Sequence, residues 1–330
     1  MNKKVKDTIK YLVSVLVAVV LVYFSFRGND WNEFFHALTQ TNWWYIILSM
    51  VVAVIALIFR AERWRNQMLP LDESISRYSV WHGSNIGNFL SIVIPGVGEF
   101  YRCGFVATGK ASFDKVFGTI IMERSWDVLA ILLLIFAALA GNSSVIMPFM
   151  QEHVIAPFAS RFSISIWLLA GTAMLILAAL LAAVFIFRDR VALLGKIAKW
   201  LEGILGGFAS FVKMEKKLLF LLYTVGIWFM YILMTYFTFL AIPGLDHLSL
   251  VDAIFISAVG NIASVIPTPG NIGPYHYLVG MAISTIYLGA EGMTSLALLC
   301  ATLSHGSHAL LLIILGVVSY IQVSIKKKRK

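Results

Sequence analysis

Six stretches of this 330-residue sequence, at about 9–26, 43–59, 114–140, 163–187, 218–242 and 293–325, are apolar over lengths that approach or exceed one bilayer crossing. A helix needs about 20 apolar residues to span the hydrocarbon core. Lipid offers no hydrogen bonds to the backbone, so repeated runs of this length leave a helical bundle as the expected fold. Composition agrees: 59% of the residues are hydrophobic and 13% charged, against about 25% charged in soluble domains. The expectation is an all-α, polytopic membrane protein with one integral membrane domain over residues 1–330.

The net charge of +9 raises the question of nucleic acid, but its distribution points elsewhere. With the N-terminus on the cytoplasmic side, all Lys and Arg but Arg27, Arg124 and Arg161 fall on that side or at its edge, which is the membrane topology signal. No nucleic-acid motif accompanies them. Both termini are expected to be cytoplasmic in the cell (inner) membrane. The first apolar run follows a basic segment and lacks a small-x-small cleavage site, so it reads as a retained anchor. Cys103 and Cys300 sit in or beside apolar runs without metal or disulfide spacing and read as packing residues. The mixed stretches 29–42 and 188–217 read as interfacial amphipathic helices, the second equally as a solvated connector helix.

Two further apolar stretches, about 79–110 and 250–289, are interrupted by Pro and Gly. Each is too long for one plain span and too broken for two, so each is expected to be a re-entrant hairpin. Their centres resemble each other: "NFLSIVIPGVGEFY" at 88–101 and "GNIASVIPTPGNIGPYHY" at 260–277. Both halves of the chain, about 1–162 and 163–330, then read span, span, broken hairpin, span. Three full spans per half would make the second half enter from the opposite side, an inverted repeat. Non-helical backbone survives at membrane depth only inside protein or against a watery cavity. Paired interruptions in corresponding halves point to a transport site between them. The candidate residues there are Asn88, Pro95, Gly98, Asn261, Pro267, Pro269, Gly270, Gly273 and His276. Half-helices restarting after the breaks would aim positive dipole ends inward.

Charges cluster beside the first break. Glu99 and Arg102 are three apart, and Glu123, Arg124 and Asp127 follow within the third span. Each such charge costs about 2.5–3.5 kcal/mol at a helix centre, so these residues must be paired, hydrated or displaced toward the interface. Their formal sum is −1. Either the carboxylates position arginines for a phosphate, or one carboxylate carries a proton. His305 and His308 in the last span lack the further ligands of a zinc site and read as helix-to-helix hydrogen bonders. No phosphate-binding loop, catalytic signature or cofactor motif is present, so neither an enzyme nor an ATP-driven pump is expected.

These residues resemble the flippase-like membrane family that includes the transmembrane part of lysylphosphatidylglycerol synthases. The first signature corresponds to Asn88, Pro95, Gly98, Glu99 and Arg102, continued by Glu123, Arg124 and Asp127; the second to Pro267, Pro269, Gly270 and Gly273. Family members commonly carry a glutamate where this chain has His276. The aminoacyl-transferring domain of the synthases has no counterpart in this sequence, so lipid aminoacylation is not carried over. The resemblance implies movement of an anionic or glycosylated lipid between leaflets. The expected partner is a membrane lipid with a phosphate headgroup, bound with Arg102 and Arg124. Two other functions fit the residues: a non-transporting subunit presenting lipid to a separate glycosyl- or aminoacyl-transferase, and an enzyme on polyprenyl phosphates using Glu123 or Asp127.

Overall fold

The computed structural model describes residues 3–141, 146–147, 182–188, 191–264, 266–290 and 292–328. All its regular structure is helical. The first half contributes α1 (Lys3–Phe26), α2 (Trp31–Thr39), α3 (Trp43–Met68), α4 (Arg77–Val93), α5 (Val97–Val106) and α6 (Phe113–Gly141). The second contributes α7 (Ala192–Lys213), α8 (Lys217–Ala241), α9 (Leu250–Ala263), α10 (Pro274–Ala282) and α11 (Ser295–Lys328). Among the described residues, α3, α8 and α11 are long and apolar enough to cross a membrane. The chain is an all-α integral membrane protein. The predicted span 163–187 lies almost wholly outside the described residues.

Local chemistry sets the helix starts. Asp30 accepts from the Asn32 and Glu33 amides to open α2, and Asn42 accepts from Trp44 to open α3. Ser76 accepts from the Ser79 amide at 3.1 Å to open α4. Ser249 and Asp252 form a reciprocal capping box on α9, satisfying amides that the helix leaves without partners.

One boundary differs from the sequence expectation. The second apolar run was expected to end near residue 59, with Arg60, Arg63 and Arg65 in a cytoplasmic loop. Instead α3 continues to Met68, and Arg63 and Trp64 are buried. The helix continues because acids of α6 receive its arginines, as described below.

Both interruptions fall where the Pro/Gly pattern places them. After α4, Ile94 is extended at φ −130° and Gly96 is left-handed at φ +79°, and α5 begins at once. The legs of this hairpin touch backbone to backbone: a Cβ on Gly98 would overlap the Gly87 carbonyl. After α9 the chain makes a single tight turn at Pro269–Asn271. Gly270, Asn271 and Gly273 all have positive φ there, and α10 starts with Pro274 in its first turn. The two interruptions meet, because Gly270 packs against Ile92 of α4.

Packing between the halves is reciprocal. α3 lies against α8; α4 lies against α11 as α9 lies against α6; α2 lies against α11 as α7 lies against α6. One core gathers Phe239, Ile242, Phe255, Leu298 and the buried Cys300. A second gathers Trp64, Met68, Val80 and the buried Cys103.

Candidate functional site

The charges expected to need partners find them in one network across α3, α5 and α6. Glu123 is fully buried at its centre. It receives Arg102 Nη2 at 3.0 Å, Arg63 Nη2 at 3.2 Å and Arg60 Nη2 at 3.4 Å. Arg63 also reaches Asp127 at 2.8 Å and the Thr224 hydroxyl of α8 at 3.4 Å. Arg102 donates from Nε to Glu99 at 2.5 Å, and its guanidinium lies 4.5 Å over the Trp64 ring. Arg124 bridges Glu99 and Asp127. Four arginines thus meet three acids, and the formal sum is +1 rather than the −1 of the five residues recognised in the sequence. A buried charge without its partner is strongly destabilising, so the network fixes the three helices relative to one another.

Only part of this network faces open space. A cavity of about 440 Å³ lies beside it, within the range of small-molecule sites, about 300–1,000 Å³. Both chain breaks line it: Pro95, Gly96 and Glu99 from the first, Pro267, Thr268 and Gly270 from the second. Tyr231 and Thr235 line it from the middle of α8, and Ser304, His305 and His308 from the middle of α11. Arg60 and Arg124 are the cations at its wall.

The other expected residues are distributed as follows. Asn88 and Asn261 line the cavity. Gly98 does not; it is the contact that closes the first hairpin. Arg102 stands behind the wall, paired to Glu99 and Glu123, so the cavity-facing cations are Arg60 and Arg124 rather than Arg102 and Arg124. Glu123 and Asp127 stand behind it too, as partners of the arginines. Pro269 opens the tight turn, and Gly273 packs on the Ala18 carbonyl of α1. His276 is buried next to the wall, with its ring 5.1 Å from that of His305 and 6.1 Å from that of Phe26. His305 was expected to bond another helix; its Nε2 instead meets the Gly270 carbonyl of the break at 2.8 Å. The inward dipole expected of the first half-helix is also modified: the Val97 and Glu99 amides turn back to Ile94 and Gly96, and Glu99 itself occupies the first turn.

Arg60 and Arg63 are the functional candidates that the sequence reading missed. Their signal was a face of α3, Ala56, Arg60, Arg63 and Gln67, that keeps helical spacing beyond the end of the apolar run.

Comparison with known proteins adds an independent line. The family model of the lysylphosphatidylglycerol synthase transmembrane region matches residues 11–316. A relative from Pyrococcus horikoshii, described as a UPF0104 membrane protein, is 26% identical over 292 residues, covering 80% of this chain and 83% of the relative. No solved structure matches. With the match running through both broken hairpins and the arginine network between them, this chain belongs to the lysylphosphatidylglycerol synthase transmembrane-region family.

Proposed function

We propose that the protein moves a lipid with a phosphate-bearing headgroup between the leaflets of the cell membrane, without an ATPase of its own. The observation that carries this reading is the convergence of both chain breaks on one polar cavity whose wall presents Arg60 and Arg124. Helices broken at a shared cavity provide polar backbone where a headgroup would otherwise meet hydrocarbon. Two guanidiniums on one wall offer a phosphate the charge-assisted hydrogen bonds it forms best. Arg102, Glu123 and Asp127 hold that wall in place.

The reciprocal packing of the halves supports an inverted repeat, with the first hairpin entering from the cytoplasm and the second from outside. The basic residues flanking the helices support cytoplasmic termini. Rocking of one half against the other about the shared cavity would then expose the headgroup site to each leaflet in turn. The absence of a phosphate-binding loop for ATP from the sequence supports passive or ion-coupled movement.

The test is leaflet exchange of fluorescent phospholipids in liposomes holding the purified protein. Wild type is expected to exchange them faster than protein-free liposomes. Arg124→Ala is expected to slow exchange about ten- to hundredfold, the equivalent of one charge-assisted hydrogen bond, while its melting temperature changes little because the side chain is half-exposed. Folded wild-type protein without exchange overturns the proposal.

A further inference from the structure

A second cavity, of about 320 Å³, lies on the flank of the bundle where α3 ends and α4 begins. It shares no lining residue with the cavity between the breaks. Toward the middle of the helices its lining is apolar, with Ile58 and Ala61 from α3 and Val80 and Trp81 from α4. Toward the helix ends it is basic, with Arg65 and Arg77. Ile58, Ala61 and Arg65 fall at helical spacing, so one face of α3 runs from apolar to charged as it reaches the end of the helix.

The two guanidiniums are each fixed at one atom and open at the others. Arg65 Nε donates to the Ile75 carbonyl at 3.0 Å, and Arg77 Nε donates to Glu62 at 2.8 Å. Among the described residues, their Nη atoms have no hydrogen-bond partner. Arg60 and Arg63, on the same helix, are instead spent on Glu123. The end of α11 brings a third cation: Lys326 Nζ lies 3.7 Å over the ring of Tyr78, which also lines the cavity. Against Glu62 these three cations leave a formal sum of +2.

An apolar recess beneath unspent guanidiniums fits an amphiphile with a negative head. A soluble anion would use only the charge, and a neutral chain only the recess. Arginine offers phosphate paired donors in a fixed plane, and basic pockets between membrane helices suit anionic headgroups. A zwitterionic lipid would bring its ammonium toward Lys326 and lose by repulsion.

We propose that this cavity holds an anionic phospholipid of the surrounding leaflet, which is the cytoplasmic one in the proposed topology. Its phosphate lies between Arg65 and Arg77, and the upper part of an acyl chain covers Ile58 and Trp81. This is a resident lipid rather than cargo, because the site stands apart from both breaks. It joins α3 and α4 of the first half to the end of α11 of the second. The site is independent of whether the protein moves lipid.

The experiment uses phosphatidylglycerol with a photoreactive diazirine in its acyl chain, added to the whole chain in phosphatidylcholine nanodiscs. Irradiation, proteolysis and mass spectrometry then map the attachment. Label is expected on the α3 and α4 segments around Ile58 and Trp81. Arg65→Gln and Arg77→Gln are each expected to weaken that labelling about fivefold, the equivalent of about 1 kcal/mol per basic residue at a membrane surface. The Arg77 side chain is 73% exposed, so its removal leaves the fold intact. Glu62→Gln frees Arg77 and removes a negative charge from the lining. It is expected to strengthen labelling, a direction that loss of structure does not produce. Arg124→Ala, at the other cavity, is expected to leave it unchanged. Equal labelling by the matching phosphatidylcholine probe overturns the proposal, as does unchanged labelling in the Arg65→Gln, Arg77→Gln double variant. Displacement of the label by inorganic phosphate also overturns it and assigns the guanidiniums to a soluble anion.

Discussion

At the first break the chain turns between Val93 and Val97 through one left-handed glycine, and charge pairs surround the turn. At the second it uses a wider turn with Gly270, Asn271 and Gly273 at positive φ, and no charged side chain of that segment lines the cavity. The first is clamped: Glu99 and Arg102 tie α5 to Glu123 and Arg124 on α6, and Gly98 seats α5 directly on α4. The second is joined to α11 by the hydrogen bond that His305 Nε2 donates to the Gly270 carbonyl, and its remaining polar groups include unpartnered ones. The same interruption of a hydrophobic segment therefore serves two ends. A clamped, charged break supplies a fixed electrostatic anchor. A neutral break joined by one hydrogen bond leaves the backbone turn itself at the cavity wall.

The sharpest way to break this comparison is to remove the centre of each side. Glu123→Gln leaves three arginines around a neutral amide and is expected to cost about 3–5 kcal/mol, the penalty for orphaning buried charge. Loss of the monodisperse peak or a large drop in melting temperature in detergent would report it. His305→Leu removes one neutral hydrogen bond at the other side and is expected to cost about 1 kcal/mol. Equal losses would mean that the charge network contributes no more rigidity than the neutral side.

A backbone test sharpens the same contrast. Gly98→Ala forces a methyl into the Gly87 carbonyl, an overpacked contact between α4 and an α5 that the arginine pairs already hold to α6; the expected cost is about 1–3 kcal/mol. Gly270→Ala meets only the Ile92 side chain closely but holds φ +58°, so the expected cost is about 1 kcal/mol, the strain of a left-handed non-glycine residue. The measurement is thermal melting of both variants. A larger loss at Gly270 would show that the second break is the tighter one.

How much of this was legible follows from the range of each interaction. The breaks were legible because Pro95, Gly96, Pro267 and Gly270 act on their own backbone, and such effects are local in sequence. Glu99 with Arg102, and Glu123 with Asp127, were legible as pairs on one helix face because helical spacing fixes them. Their direction was not. Whether Arg102 faces the cavity or the interior depends on Trp64 and Glu123, which belong to other helices. Arg60 and Arg63 were hidden for the same reason: beside Arg65 they resemble the basic flank of a span, and only acids 60 or more positions away turn that flank into buried helix. The Thr268 hydroxyl, buried without a partner, had no sequence signal, since nothing in "PTPGN" tells which of its groups lacks a partner.

The smallest effect concerns how each hairpin is closed at its mouth. At the first, Asp72, before α4, accepts from the Thr108 hydroxyl after α5 at 2.6 Å and from the Ser74 amide at 2.9 Å. At the second, Asp252 is engaged by Ser249 at 2.8 and 2.7 Å, and Tyr287, beyond α10, lies within its electrostatic reach. An aspartate thus stands at the entrance of each hairpin, and at the first it is hydrogen-bonded to the exit. The Thr108 hydroxyl, then Ser74, hold the Asp72 carboxyl down to about 2, below the ordinary aspartate value of about 3.9. A depressed folded-state value stabilises the fold above about pH 4 and loses that contribution as pH falls through about 2. Asp72→Asn is therefore expected to lower the melting temperature slightly at pH 7, with the gap to wild type narrowing from about pH 4 downward. A gap that stays constant to pH 3, or no gap at pH 7, would mean that the charge on Asp72 does not close the first mouth, and that the two hairpins differ at their mouths as well as at their breaks.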